Sequence, residues 1–193
     1  KRTGRRLTQV RVAGRVVAEQ LEKMLFQGGP TFGGLPIYGY TTHPNRNTSA
    51  FGTNGDWAEA AKTGENILAD VQTMKTALHA DRMYGPYMIY VPANAASKLD
   101  GDFKANSDKT IRQRVLEIDG IAGLRVADQL PSSHVIMVQM TQDVTCWVNG
   151  ESLQTVQWDE YGGFELNFKA FAIGVPLVRA DIQGRSGVYD MTD

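Results

Sequence analysis

The sequence is short of the groups that build reactive sites. Cys146 is its single cysteine, which excludes an intrachain disulfide and any cysteine-based metal cluster. It lies in a predicted strand beside Trp147 and reads as a buried structural thiol. The three histidines, His43, His79 and His134, have no metal-ligand spacing among themselves or with carboxylates. No G-x-S-x-G elbow, phosphate loop or dinucleotide fingerprint occurs, and Gly28, Gly29, Gly33 and Gly34 are too irregular to cradle a phosphate. Asp159 and Glu160 are adjacent, so in extended chain they point to opposite faces and form no carboxylate pair. Neither sign of charge is in excess, with 20 Lys and Arg against 21 Asp and Glu, so overall charge argues neither for nor against nucleic acid. No apolar run reaches the roughly 18 residues of a membrane span, and no signal-peptide pattern is present. The residues imply no cofactor, no metal and no membrane.

What is present is scaffold. A chain of 193 residues supports one domain, or two small interleaved ones, and buries about 70% of its unfolded surface. Its organising stretch is 157–190, which turns at Tyr161-Gly162-Gly163 and then runs extended. Phe164, Leu166, Phe168 and Ala170 fall on one face and Glu165, Asn167 and Lys169 on the other, the period of a long strand with one side covered. Pro176 is expected near its end. A short run follows at 177–180, then a turn over 181–187.

Two helical stripes precede it and are expected to cover that face. Residues 1–9 read as a basic, flexible lead-in. From Val10 the apolar residues Ala13, Val17, Leu21 and Met24 recur at three and four, widened by Val16, Leu25 and Phe26, and Gly28-Gly29-Pro30 stops the helix. Arg5, Arg6, Arg11 and Arg15 crowd this start. They read either as a surface touching nucleic acid or as a solvated helix face, the commoner fate of such charges. Residues 33–54 read as a loop anchored by Leu35, Ile37 and Tyr38, with His43 as a loop residue. Thr63 caps a second helix whose stripe is Ile67, Val71, Met74 and Leu78, and His79 falls at its border.

The remainder mixes short elements. Residues 86–91 form a buried strand and 93–99 a short helix. A polar loop over 101–108 carries Asp102, Lys104, Asn106 and Asp108. Residues 110–117 make another helix with Ile111, Val115 and Leu116 inward, and 124–127 and 135–139 are strands. Asn149-Gly150 reads as the two-residue turn of a hairpin joining 144–148 to 153–158. Strands and helices without a regular alternation give an α+β class.

The order of these pieces carries a resemblance. A helix ends at a glycine-rich break and is followed by GLPIYGYTTHPN. Then come ENILADVQTMKTAL, GPYMIYVP, RVLEIDGI and the tail VQWDEYGGFELNFKAFAIGVPLVRAD. Over residues 10–190 this order resembles the major capsid proteins of tailed bacteriophages, which have the Hong Kong 97-type fold, and their encapsulin relatives. The resemblance implies a discontinuous layout. Residues 1–84 and 150–176 form a peripheral domain, in which the first helix is the spine and the second packs near it. Residues 85–149 and 177–193 form an axial domain, with the loop of Asp102, Lys104, Asn106 and Asp108 where like subunits meet. The family's N-terminal arm and extended loop have no counterpart in the sequence. It opens without an initiator Met, and residues upstream are expected to have been removed. No residue is assigned to the covalent Lys–Asn cross-links of some members.

The function implied is structural rather than enzymatic: a subunit that tiles an icosahedral shell as hexamers and pentamers, in the virion, assembled in the host cytoplasm. Its implied partners are further copies of itself, packaged double-stranded DNA through non-specific contacts, and portal, scaffolding or decoration proteins. An encapsulin-type compartment enclosing protein cargo is the alternative. A hydrolase assembled from Asp128, Ser132 and His134 is the lesser one.

Overall fold

Hydrophobic patterns of two periods sort the chain into two bodies in a computed structural model, which describes residues 2–163 and 165–193, with side chains from residue 9 onward. In chain order the elements are α1 (Arg2–Gln27), β1 (Gly29–Phe32), β2 (Leu35–Ile37), β3 (Asn47–Ser49), α2 (Gly64–Ala80), β4 (Tyr87–Pro92), α3 (Ala93–Leu99), α4 (Ile111–Leu116), β5 (Ile121–Ala127), β6 (His134–Gln139), β7 (Thr145–Glu160), β8 (Glu165–Val178) and β9 (Val188–Thr192). Among the described residues no helix is long and apolar enough to cross a membrane.

The first body is a mixed sheet in the order β3-β9-β6-β4-β5. β4 pairs parallel with β5 and antiparallel with β6, and β9 pairs antiparallel with β6 and parallel with β3. Period two sorts its side chains. Ile89, Val91, Val135, Met137 and Met191 face a core completed by Ile67, Val71, Met74 and Leu78 of α2, Leu99 of α3 and Val115 of α4. Ile136, Val138 and Val188 face the other way, into a second core with Phe26 at the end of α1, Tyr40 and Val178. Each fully buried aliphatic side chain contributes about 1.5–3 kcal/mol, so the α2 stripe alone outweighs that helix's marginal propensity. Thr63 caps α2 by accepting from the Asn66 N–H, and Thr110 forms a capping box with Gln113 at the start of α4.

The second body is the antiparallel ribbon of β7 and β8, joined by a single turn at Tyr161–Gly163, with Gly162 and Gly163 at φ 67° and 90°. α1 lies along one face of it, packed mainly on β8: Val10 lines one hollow with Leu166 and Phe168, and Val17, Leu21 and Met24 line another with Phe171 and Ala172. An aromatic joint connects the two bodies. Phe26 stands edge-on to Tyr40 at 5.9 Å and to Tyr90 of β4 at 5.2 Å, and the Tyr40 hydroxyl bonds Thr145 at 3.0 Å.

Several expectations are corrected here. α1 is helical from Arg2, so the basic start is not a flexible lead-in; Arg, Leu and Gln are good helix formers and carry the helix through Gly4. The 33–54 stretch is not all loop: it contains β3 and the second strand of a small hairpin over 29–37, with Gly33 and Gly34 at positive φ between β1 and β2. Leu35 and Tyr38 are exposed rather than anchoring it, and Leu116 is exposed on α4. Asn149-Gly150 is no hairpin turn. It lies inside β7, opposite Gly174 and Ile173 of β8, where the register slips as at a bulge. The strong turn is the one with successive glycines, because the two longest runs of β residues flank it. Pro176 lies near the end of β8 as expected, opposite Trp147, but Leu177 and Val178 continue that strand and do not begin a separate run. β9 was not anticipated as a strand; it is central because Val188, Tyr189 and Met191 are all buried. The α2 stripe packs on the sheet rather than beside α1, so α1 alone covers the ribbon. Leu166 is therefore 39% exposed and Phe168 only half-buried. Phe164 lies outside the described residues.

Candidate functional site

Among the described residues, the two carboxylates that the fold buries, Asp70 and Asp190, are each paired with basic side chains. Asp70 falls on the apolar stripe of α2, three residues after Ile67, and is 3% exposed. Its partner is Lys62, 1% exposed, with Nζ 2.7 Å from Oδ2. The carboxylate also accepts from the Trp57 indole at 2.9 Å and from the Gly52 N–H at 3.2 Å, and Lys62 donates to the Thr53 carbonyl at 3.1 Å. The further partners of the pair, Gly52, Thr53 and Trp57, all lie in the loop before α2, so the pair ties that loop to α2. The sequence held one sign of it: an aspartate inside a helical stripe must find a buried cation.

A second centre sits between β3, β6 and β9. Asp190 is fully buried; its Oδ1 lies 2.8 Å from His134 Nδ1 and its Oδ2 accepts from Arg46 Nε at 3.1 Å. Arg46 also donates to the His43 carbonyl at 3.0 Å. His134 thus turns to Asp190, not to Asp128, and the suggested Asp128–Ser132–His134 constellation does not form. Asp128 and Ser132 are exposed. His43 is buried against Tyr38, and burial holds its imidazole below the usual value. His79 is exposed beside Tyr84 at 5.5 Å. Burial also pushes the Tyr40 and Tyr87 phenols up to about 12. Cys146 is half-buried and free, opposite Leu177. Among the described residues no group of three or more His, Cys, Asp and Glu could hold a metal. These centres are arranged to hold strands and loops together.

The surface is more informative. Arg11 and Arg15 stand on the side of α1 away from the ribbon, and Arg15 pairs with Glu19 at 2.9 Å with its side chain 81% exposed. Arg5 and Arg6 lie in the helix, with side chains outside the described residues. In the 101–108 loop Asp102, Lys104, Asn106 and Asp108 are all exposed. Asn106 has φ 62°, Asp102 bridges Thr110, and Lys104 pairs with Glu65 in the first turn of α2. Phe103 packs against Gly64 and is covered by the Arg114 guanidinium at 5.5 Å, so the loop is held in one shape.

Exposed apolar residues form two further surfaces that the sequence reading did not single out. The ribbon leaves its face away from α1 open, with Val156 46% and Trp158 43% exposed. The β1–β2 hairpin carries Phe32 and Leu35, 80% and 72% exposed, on either side of Gly33-Gly34. Isolated apolar residues on a surface are ordinary, but contiguous ones mark contact surfaces.

Comparison with known proteins adds to this picture. The profile of DUF6260, described as a family of unknown function, matches residues 7–191. No curated protein matches the chain. Among solved structures, the capsid of Myoviridae phage XM1 superposes with a TM-score of 0.75 at 12% identity, covering 94% of this chain and 63% of that one. A virus-like particle from Pyrococcus furiosus superposes with a TM-score of 0.60 at 15% identity, covering 79% and 58%. The chain therefore spans about three-fifths of the length of the solved proteins it matches. At these identities the likeness is one of fold, and the fold is the Hong Kong 97 type.

Proposed function

From the membership of this chain in the DUF6260 family, and from its Hong Kong 97-type fold, we propose that it is the subunit of a closed icosahedral shell, built from hexamers and pentamers of itself. One observation carries the reading. The molecule uses its buried charges to hold its own elements and leaves many of its exposed large apolar side chains on the ribbon and hairpin, outside both cores. A subunit whose work is repeated contact with its own kind has this distribution. The likeness in fold to a phage capsid chain supports a virion shell, and double-stranded DNA is its proposed content.

Within that shell, α1 and the ribbon form the peripheral part. The five-stranded sheet sits nearer the capsomer axis and carries the 101–108 loop towards it. The sequence division at 84/85, 149/150 and 176/177 shifts accordingly: β3 and α2 go with the five-stranded sheet, and the ribbon takes β7 and β8 from Thr145 to Val178. Asp102, Lys104, Asn106 and Asp108 are the axial contact residues. Arg5, Arg6, Arg11 and Arg15 face the lumen and bind packaged phosphates without sequence preference. Portal, scaffolding or decoration proteins are the remaining partners, and assembly takes place in the host cytoplasm.

Electron microscopy of purified protein, with the ultraviolet spectrum of the particles, tests this. Uniform closed particles that contain nucleic acid are expected. Particles holding only protein would favour a cargo compartment, and a stable monomer at high concentration would overturn the shell reading.

A further inference from the structure

We propose that the β1–β2 hairpin is a knob that inserts into a second copy of this chain, in the hollow between that copy's α1 and β8. The inference rests on the shell reading and names residues for one of its contacts. The knob is Phe32 and Leu35, the most exposed large apolar side chains of the hairpin, presented by the Gly33-Gly34 turn. The hollow has a volume of about 520 Å³ and is lined by Val16, Leu21, Met24 and Phe171, with Gln20 and Lys23 among its polar residues. Phe32 and Leu35 do not line the hollow of their own chain. Its hairpin wall is Gly29 and Pro30 at the base of β1, while the tip leans towards the other flank, with Val175 and Leu177.

Charge selects the occupant. Between Met24 and Asn45 the sequence contains no Lys, Arg, Asp or Glu, in a chain that is 21% charged. The hollow contributes Lys23 as its one charged lining residue. A neutral knob matches a nearly neutral socket, since an ionic partner surface would lose its hydration without a counter-charge. A lipid surface is a poorer match, because apolar membrane anchors are flanked by cations and this tip has none. Knob and socket are different patches of one chain. The contact is therefore head-to-tail, the kind that builds rings when its rotation closes.

Phe32→Cys combined with Gln20→Cys, in a Cys146→Ser background, tests this under mild oxidation at high protein concentration. Cross-linked species of two, three and more chains on a non-reducing gel are expected. No cross-link, an intrachain cross-link, or a product that stops at the dimer would overturn the proposal. Phe32→Ser with Leu35→Ser gives the second readout. Both side chains are exposed, so circular dichroism and melting should be unchanged while the assembled fraction falls by about tenfold or more. Unchanged assembly would overturn it. Normal wild-type particles without a ladder would sink the hairpin contact and leave the shell reading standing. Absence of wild-type particles would sink the shell reading, while a ladder would still support the contact.

Discussion

Lys62 and Asp70 lie in a core where neither tolerates losing the other. Removing the cation leaves a carboxylate with water excluded, which costs about 3–5 kcal/mol. Lys62→Met should therefore unfold at markedly lower denaturant, whereas Lys62→Met combined with Asp70→Leu should recover part of the loss. Equal loss in both, measured by urea titration, would mean the pair is not what holds the loop. His43 gives a pH signature. Its folded pKa is lowered by burial, so the unfolded chain binds the proton more tightly. Its contribution to stability is complete above the ordinary imidazole value of about 6.5 and is lost as the pH falls through that value towards the folded pKa. Melting temperatures of wild type should drop between pH 7 and 5 more steeply than those of His43→Gln, and parallel curves would refute the assignment. At this scale the sequence was legible only where local chemistry is enough. Thr63 declares itself as a cap by position, whereas Thr110, read as the first residue of its helix, is that helix's cap. Lys62 and Asp70, or Arg46 and Asp190, are joined only by the fold, the latter across 144 positions.

Glycines separate the element that was read correctly from the one that was not. Gly150 sits within β7 without positive φ, and an added Cβ would meet Ile173 Cγ2 at 3.1 Å. Gly150→Val should change stability by less than about 1 kcal/mol, since β-branched residues suit strands. Gly162 holds the ribbon turn at φ 67° with nothing near its Cβ, so Gly162→Val should cost about 1–2 kcal/mol from backbone strain alone. Thermal melts of the two variants decide between these turns, and the reverse order would restore the Asn-Gly hairpin. Periodicity found α1, α2, β4, β6 and β8 because it is a property of each element, and it missed β1, β2, β3 and β9, which are too short to show a period. It misassigned the cover of the ribbon because a stripe does not say which face it meets. Phe168 is only half-buried under Val10, so Phe168→Asp should free α1 from the ribbon rather than unfold the sheet. Retained near-ultraviolet signal from Trp57 together with loss of particles is the expected result, and collapse of both would place Phe168 in a common core.

For the whole molecule, Lys104 is the place to ask how small changes multiply. Its in-chain partner Glu65 is itself exposed, so Lys104→Glu costs the subunit at most about 1 kcal/mol. Around an axis the same reversal recurs in every copy, and soluble, folded protein with altered particle yield or size is expected by microscopy. Normal particles would remove this loop from the axis. The class, α+β with an extended tail, was legible because it follows from composition and the order of elements. The separation into a sheet body and a ribbon was not, because it depends on β9 pairing with strands far back in the chain. That pairing bears on timing. β3 has no hydrogen-bonded neighbour in the sheet except β9, and β6 has β9 on one flank. On a ribosome, β3, β4, β5 and β6 emerge before residues 188–192, so the first sheet edge stays unfinished until nearly the whole of this stretch has been made. Nascent subunits would then lack a completed body to offer one another, and polyribosomes crowded with identical chains would be guarded against premature lattice growth by the order of synthesis alone.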